Sequence, residues 1–389
     1  MTISILITDL DLNVVGDPLD GWTDIDLTLR YRQPSSGVLT IPAYPEVIAQ
    51  LGVDEPRRAV IMRDGEIVLS GPIEQPMAPY QRTLPGGDGA GDARPGTLQL
   101  AVVDDLAHLA GRLVYPDPTA AADSQTASHY TDSDTAETLM RDLVNLNAGP
   151  GALPDRQVPN LALGAVAGVG STVSVSARFS NLLTELQGLA VAGGDLGFRI
   201  RQDAGQLLFE VYQPRDLTAT ARYSWDLGNL RSVSVERSAP TVTHAIVGGQ
   251  GEEENRQIVE RGDAAAAARW WRMEQWVDSR HEDTMDGLEQ SGDEALAEGA
   301  ERVQISAVTV DTEDLKFGRD VQLGDRATIA YLPGVEVSEV VRQAHIQATP
   351  DAGEHVTVLI GSQEATTDPD WVLLARRIHR RLTRLETSP

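Results

Sequence analysis

The side chains of this sequence that could perform chemistry are mainly histidines and carboxylates, since the chain has no cysteine. None of the seven histidines stands in a His-Glu-x-x-His motif, and no two lie four residues apart on a predicted helix, as a helical zinc site requires. His345 and His355 could face each other across adjacent strands. Isolated histidines are more often surface or core residues than ligands, so the sequence predicts no metal and no other cofactor.

Motifs for nucleophilic and nucleotide chemistry are missing from the sequence as well. It has no Gly-x-Ser-x-Gly elbow, and the only lysine, Lys316, lacks the preceding glycines of a phosphate-binding loop. Gly193-Gly-Asp-Leu-Gly197 follows a predicted helix, whereas a dinucleotide fingerprint follows a strand. The 58 Asp and Glu residues offer many chance carboxylate pairs, and none stands out. We therefore predict that the chain is not an enzyme.

Two segments resemble calcium loops in part. Asp9-x-Asp11-x-Asn13 has the spacing of calcium ligands, but Val14 stands where the loop requires glycine. The glycine-rich stretch 86–92 resembles a calcium-binding nonapeptide, but that fold needs a stack of repeats and the stretch occurs once. A strand end and a flexible loop explain these two segments better than calcium binding.

Three tryptophans lie close together in Arg269-Trp-Trp-Arg-Met-Glu-Gln-Trp-Val277. Together they could form a platform on which sugar rings stack. Alternation along a strand would place Trp270 and Trp276 on one face and Trp271 on the other. This arrangement favours a role in the protein core over a binding platform.

The composition narrows the classes of partner. The formal net charge of -26 argues against a nucleic-acid binder and against binding to an anionic membrane surface. The longest uncharged run, 157–177, contains too much Gly and Ser for a membrane-spanning helix, and the N-terminus begins as a strand instead of a signal peptide. We therefore expect no stable membrane insertion. Arginine supplies every basic residue except Lys316, which suggests a GC-rich genome.

Most of the chain alternates apolar and polar residues as strands do, and a few segments have the apolar spacing of helices. The sequence therefore predicts a mainly β fold with helical insertions, of the α+β class. The Asp64-Gly65 pair predicts a tight type I′ hairpin. Helices are expected at about 102–111, 134–147 and 180–192, and a Ser291-Gly-Asp-Glu294 capping box predicts another that ends near Arg302. The predicted segments are a β-barrel-like module at 1–111, an insertion or linker with one helix at 112–177, a helix with hub strands at 178–250, an acidic helical and aromatic segment at 251–302, a second β-barrel-like module at 303–368 and a basic helix at 369–389.

The C-terminal helix has the pattern of a coiled-coil seam about two heptads long. Asp368 can cap this helix, and Pro369 suits its first turn. The expected partner-binding residues are the apolar Trp371, Ile378, Leu382 and Leu385 and the basic Arg376, Arg380 and Arg384. A basic helix on an acidic body suggests an assembly element, and the alternative is a solvated helix that packs on its own subunit.

Several segments, in order, resemble phage tail hub proteins. In these a short helix precedes a Gly-turned hairpin that ends in Pro-x-Asp, as in 178–216 here, and paired barrel strands follow, as in 229–249. The segment Asp320-Val-Gln-Leu-Gly-Asp325 resembles their Leu-Gly-Asp turn before a strand. The chain is similar to minor tail or baseplate hub proteins of long-tailed, siphovirus-type phages that infect actinobacteria.

The resemblance implies a structural virion protein of the phage tail tip, made in the host cytoplasm. Such hubs are homotrimers of two β-barrel-like modules and a helical domain, and they join the six-fold tail tube to three-fold tip proteins. Expected partners are therefore the distal tail protein, the tape-measure protein and other tail-tip proteins, with DNA only in passage through the channel. A tail-tip carbohydrate-binding module and a cell-wall hydrolase are the alternatives.

Overall fold

A computed structural model describes residues 3–19, 21–52, 55–74, 96–251, 253–280, 284–300 and 302–361. The predicted C-terminal helix lies outside these residues, as does the glycine-rich stretch 86–92. The expected fold class is confirmed, because strands interrupted by a few helices make up most of the described regular structure.

The regular elements are as follows. The strands are β1 (Ile3–Thr8), β2 (Asp24–Arg30), β3 (Ser36–Pro42), β4 (Arg58–Arg63), β5 (Glu66–Pro72), β6 (Thr97–Val103), β7 (Tyr130–Thr135), β8 (Leu161–Leu163), β9 (Thr172–Ala177), β10 (Gly197–Asp203), β11 (Gln206–Tyr212), β12 (Arg222–Ser224), β13 (Leu230–Ser238), β14 (His244–Gly248), β15 (Ile258–Gly262), β16 (Glu274–Asp278), β17 (Arg302–Val310), β18 (Arg326–Leu332), β19 (Val335–Thr349) and β20 (Gly353–Gly361). The α-helices are α1 (Pro45–Leu51), α2 (Leu106–Ala110), α3 (Ala136–Asn147), α4 (Leu182–Ala192), α5 (Ala264–Arg269) and α6 (Met285–Glu298).

The described residues form two compact units. The first contains those of Met1–Ser232 and Ala307–Ile360, and the second contains those of Val233–Ser306 together with Gly361. In the first unit β20, β19, β2, β3 and β6 follow one another in a single sheet, while β1, β4 and β5 form a separate one. The β4–β5 hairpin turns at Asp64 and Gly65, whose φ angles of 52° and 88° confirm the predicted turn.

A helical core occupies the middle of the first unit. Leu139, Met140 and Leu143 on α3 pack in one cluster with α4 and with the strands β10 and β11. The asparagine Asn181 caps α4 by accepting a hydrogen bond from the Thr184 amide, which fixes where that helix begins. The stretch 112–177, which the sequence suggests is an insertion or linker, thus supplies α3 to this core.

The predicted helix at 102–111 is shorter than expected. β6 continues to Val103, and α2 begins only at Leu106. Strand pairing with β3 keeps Val102 and Val103 in the sheet. Asp104 accepts a hydrogen bond from the Leu106 amide, and this contact lies at the change from strand to helix.

The second unit is a small sheet covered on one face by a helix. Its strands lie in the order β15, β14, β16, and α6 packs on the face formed by Ala245 and Val247 through the buried Leu288. The capping-box prediction is wrong: α6 begins after Thr284, whose side chain accepts the Gly287 amide. Ser291 lies inside the helix and donates its hydroxyl to the carbonyl of Gly287, so it does not cap.

Candidate interaction surfaces

The face of the second unit's sheet opposite α6 is open to solvent. Side chains alternate across a strand, so His244, Ile246 and Gly248 of β14 lie on this face. The register places Glu260 and Trp276 on either side of Ile246. We call this surface, formed by the alternate residues of β14, β15 and β16, the open face. Ile258 and Trp276 on it are 59% and 50% exposed.

Trp276 lies directly over Gly248 on the open face. A methyl group added at Gly248 would overlap two carbons of the indole ring, which shows how closely the ring approaches the backbone. The Arg256 guanidinium carbon is 5.0 Å from the Trp276 ring centroid, close enough for a cation–π contact. Arg256 also donates to the carbonyls of Gly248 and Gly249 at 2.9 and 3.1 Å. These contacts hold the indole ring in one orientation.

The tryptophan cluster thus differs from its prediction. Residues 270–273 are not a strand: α5 ends at Arg269, and β16 begins only at Glu274. Trp271 is 60% exposed and stands edge-on to Trp270, with 6.2 Å between the ring centroids. The predicted core role is therefore wrong for Trp271 and Trp276.

Charged groups surround Trp276 in pairs. Glu274 and Asp278 flank it on the same strand and the same face, and Glu260 lies across β14. Arg272 bridges Glu274 and Glu260, with nitrogen–oxygen distances of 2.6 and 2.9 Å. Arg256 pairs with Asp278 at 2.5 Å. The rim of the open face therefore offers both donors and acceptors around an aromatic centre.

Two of the segments that resemble tail hubs meet in the first unit. Asp325, in the Leu-Gly-Asp turn, accepts hydrogen bonds from the backbone amide and Nε of Arg215 at 3.2 and 3.1 Å. Arg215 follows the β10–β11 hairpin in Pro214-Arg215-Asp216. The φ of 92° at Gly324 and the Tyr31 ring beside it require glycine in this turn. The two segments together form one structural junction.

A cleft of about 530 Å³ lies beside the N-terminal sheet. Trp22, Ile41 and Tyr44 supply much of its apolar wall, and Gln50 closes one side by donating to the Val15 carbonyl at 2.6 Å. The cleft is an apolar surface of the first unit.

An ionic cavity of about 520 Å³ contains the only lysine of the chain. The lining has three cations, Lys316, Arg63 and Arg231, and three carboxylates, Asp311, Glu313 and Glu354. Arg63 Nε lies 2.6 Å from a Glu354 carboxylate oxygen. Burial raises the pKa of Asp311, and the Glu354 carboxylate adds to that effect. Charges of both signs balance here, so the cavity does not select an anion or a cation.

A partly buried acid, Asp104, and a buried ion pair follow each other directly after β6. Arg58 donates to both carboxylate oxygens of Asp105 at 2.7 and 2.9 Å. Burial alone would raise the pKa of Asp105, but hydrogen bonds from His108 and Arg58 lower it overall. The adjacent Asp104 has no such cation, and burial raises its pKa to about 7.

A comparison with protein-family models matches residues 3–362 to the Siphovirus ReqiPepy6 Gp37-like proteins. The match covers nearly the whole sequence. The chain belongs to this family. No curated protein sequence matches it.

Three solved structures similar to this family member are tail proteins. The 43 kDa tail protein of prophage MuSo2 from Shewanella oneidensis has 12% identity and a TM-score of 0.55, and the match covers 92% of this chain and 98% of that one. A tail protein from Neisseria meningitidis has 15% identity, a TM-score of 0.53 and coverages of 93% and 97%. Prophage tail protein gp18 from Listeria monocytogenes has 11% identity, a TM-score of 0.50 and coverages of 98% and 99%. The Gp37-like chain therefore has the fold of phage tail proteins.

The residues that the sequence suggests for binding or metal ligation do not come together in one site of the described structure. The expected partner-binding residues lie outside the described part of the chain: Trp371, Arg376, Ile378, Arg380, Leu382, Arg384 and Leu385. His345 lies opposite Thr357, not His355, and its Nε2 is 2.8 Å from Asp26 Oδ1. Asp9 accepts from the Asn13 amide at 2.9 Å.

The described residues offer neither a metal site nor a membrane-spanning helix. They contain no cluster of three His, Asp or Glu side chains suited to a metal ion. No helix in the described ranges is long and apolar enough to cross a membrane. No local sequence pattern predicts the open face, because its residues come from three strands. Gly248 is the one sequence feature that fits it, since a glycine leaves room for the Trp276 ring.

Proposed function

We propose that this Gp37-like protein is a structural virion protein of the phage tail tip. In this proposal it is a homotrimeric baseplate hub that joins the six-fold tail tube to three-fold tip proteins and lines the channel for DNA ejection. The observation that carries the proposal is the fold, which matches a prophage tail protein over 92% of this chain and 98% of the other. Family membership across residues 3–362 supports the same assignment.

The charge and the sheets of the chain suit such a role. A net charge of -26 would repel DNA phosphates, so that DNA could pass the protein without binding to it. Strands at sheet edges, such as β15 and β16, expose unpaired backbone groups that pair readily with other chains. Closed rotational symmetry is a common way to cover such edges. Contacts with distal tail, tape-measure and other tip proteins would occupy further surface.

The oligomeric state and the position in the particle test this proposal together. Light scattering of the purified full chain should give a mass of about three times 41.9 kDa, the mass of one copy. Electron microscopy of phage particles labelled with an antibody to the chain should place the label at the tail tip. A monodisperse monomer that never enters tails would overturn the proposal.

The proposed role is structural and not enzymatic. The hydrolase alternative predicts cleared bands when the purified chain is run in a gel that contains cell walls. Clearing by the wild-type chain would replace the structural role by a catalytic one. The actinobacterial host stays a prediction from the resemblance to tail hub proteins, with which the Arg-rich, Lys-poor composition agrees.

A further inference from the structure

The open face of the second unit has the chemistry of a saccharide-binding surface. We propose that it binds a neutral, hydroxyl-rich saccharide, with one sugar ring stacked on the indole of Trp276. This site does not depend on the hub role, because it needs only the described sheet of β14, β15 and β16.

The first argument is the orientation of Trp276. The Arg256 guanidinium lies over the Trp276 ring and Gly248 lies close to its edge, while half of the tryptophan's surface stays exposed. The C–H face of a pyranose ring packs against such a flat aromatic surface. Arg256 is fixed by three acceptors, the carbonyls of Gly248 and Gly249 and the carboxylate of Asp278. Since Arg256 in turn packs on the indole ring of Trp276, the ring is already ordered before a ligand binds. Preorganisation of this kind lowers the cost of binding.

The second argument is the rim. Glu274 and Asp278 flank Trp276 along β16, about two residues or 7 Å away on each side. Each carboxylate already pairs with an arginine, and each is about half exposed. Such pairs keep lone pairs and N–H groups available for the hydroxyl groups of a ligand. Arg256, Arg272 and Arg280 pair with the three carboxylates Glu260, Glu274 and Asp278, so the rim has no net attraction for a charged ligand.

The same rim disfavours other occupants. The core of a protein–protein interface is depleted in charged residues, whereas Glu260, Glu274 and Asp278 share the open face with Trp276. Nucleic acids also stack on aromatic side chains but require a basic groove for their phosphates. Each arginine on this rim is matched by a carboxylate, so a neutral saccharide fits the surface best.

Binding of the full chain to immobilised polysaccharides tests the site. The neutral probes are mannan, amylose and chitohexaose, and dextran sulfate serves as the anionic probe. We expect weak binding of at least one neutral probe and none of dextran sulfate. Trp276→Ala should weaken the neutral interaction on the order of tenfold, the scale of one aromatic stacking contact. Trp276→Phe should retain part of the affinity, while Trp276→Leu should behave like the alanine variant, because leucine lacks the flat ring.

A matched control is Trp271→Ala, since Trp271 is more exposed than Trp276 but lies outside the three strands. This variant should bind like the wild type, and circular dichroism should show that every variant is folded. The inference is overturned if the wild type binds none of the neutral probes, if dextran sulfate binds more tightly than they do, or if Trp276→Ala leaves binding unchanged. Protection of Trp276 from hydroxyl-radical labelling in intact particles would also overturn it, because a protein would then occupy the face.

Discussion

Arg215 and Asp325 lie 110 residues apart in the chain, yet the arginine guanidinium and its own backbone amide donate to the same carboxylate. The Gln322 amide also donates to Asp325 at 2.8 Å. The Asp325 side chain is nearly buried, while that of Arg215 is half exposed. One carboxylate therefore holds both the turn before β18 and the segment that follows β11.

Loss of the Asp325 carboxylate should lower the free energy of unfolding more than loss of the Arg215 side chain. Asp325→Ala leaves two backbone amides without an acceptor, so we expect a loss of about 2–4 kcal/mol in the free energy of unfolding. Arg215→Ala should cost only about 1 kcal/mol because its side chain is half exposed. Urea unfolding of the full chain measures both. Arg222→Ala, which removes an exposed pair with Glu336, is the control and should change stability by less than about 0.5 kcal/mol. Equal effects of the three variants would contradict this account of the junction.

A methyl group at position 248 should displace the tryptophan above it. We expect Gly248→Ala to destabilise the second unit by about 1–3 kcal/mol, because the indole ring of Trp276 must move. Tryptophan fluorescence and thermal unfolding would record the change. The control is Gly188→Ala on α4, where an added methyl group meets no atom within 4 Å and should be neutral or stabilising. An unshifted spectrum with unchanged stability in Gly248→Ala would show that the ring is not held as described.

The ion pair between Arg58 and Asp105 should depend on both partners. Arg58→Ala leaves the buried Asp105 carboxylate with only the Ser70 hydroxyl and the His108 ring as partners, and we expect a loss of about 3–5 kcal/mol. Replacing both by apolar residues, Arg58→Met with Asp105→Leu, should cost less than the single change. Denaturant unfolding of the single and double variants forms the test. Arg199→Ala, at an exposed pair with Glu210, should cost less than about 1 kcal/mol. A double variant that is less stable than Arg58→Ala would refute the argument.

Asp104 should make stability fall as pH rises towards neutrality. Its pKa is about 7 in the folded chain against an ordinary value of 3.8, so the folded state keeps a proton that the unfolded state has lost. The contribution is complete below pH 4 and is lost as pH approaches 7. Because part of Asp104 stays in contact with solvent, we expect a decrease of about 1–2 kcal/mol between pH 5 and 8 that Asp104→Asn abolishes.

The matched control for this pH effect is Asp216→Asn. Hydrogen bonds from Thr218 lower the pKa of Asp216, so its titration lies below the tested range. This variant should therefore keep the wild-type slope of unfolding free energy against pH. A wild-type slope in Asp104→Asn as well would assign the effect to another group.

The predicted C-terminal helix should serve assembly. Deletion of 369–389 should leave the two units folded, as measured by circular dichroism, but should reduce incorporation into tails and infectivity. Reversing the charges of Arg376, Arg380 and Arg384 should have the same effect if the basic face contacts a neighbouring tail protein. Wild-type infectivity of the deletion phage would contradict an assembly role.

The sequence predicts a structural element well where the conformation depends only on neighbouring residues, as in a tight turn. Asp64 and Gly65 form the predicted turn because both accept positive φ angles at small cost. Ser291 failed as a cap because Thr284 offers an equivalent oxygen seven residues earlier, and burial of Leu288 against the sheet favours the longer helix. No local pattern distinguishes these two starts.

Contacts between residues that are far apart in the chain could not be predicted from the sequence. Nothing near Asp325 indicates Arg215 as its partner, and the open face unites residues of three strands whose register the sequence does not reveal. The spacing of the tryptophan-rich segment fits the alternation of a strand. Instead Asp263 caps a run of alanines, and the resulting helix α5 interrupts that pattern before Trp270.

Residues 233–306 of the second unit interrupt the sequence of the first. The chain enters this segment along β13 and leaves it along β17, and these two strands are neighbours in one sheet. Insertions whose two ends lie side by side are tolerated well by the host domain. The segment 233–306 can therefore vary in length or be removed with little effect on the strands that flank it, since its two ends are already held together by strand pairing.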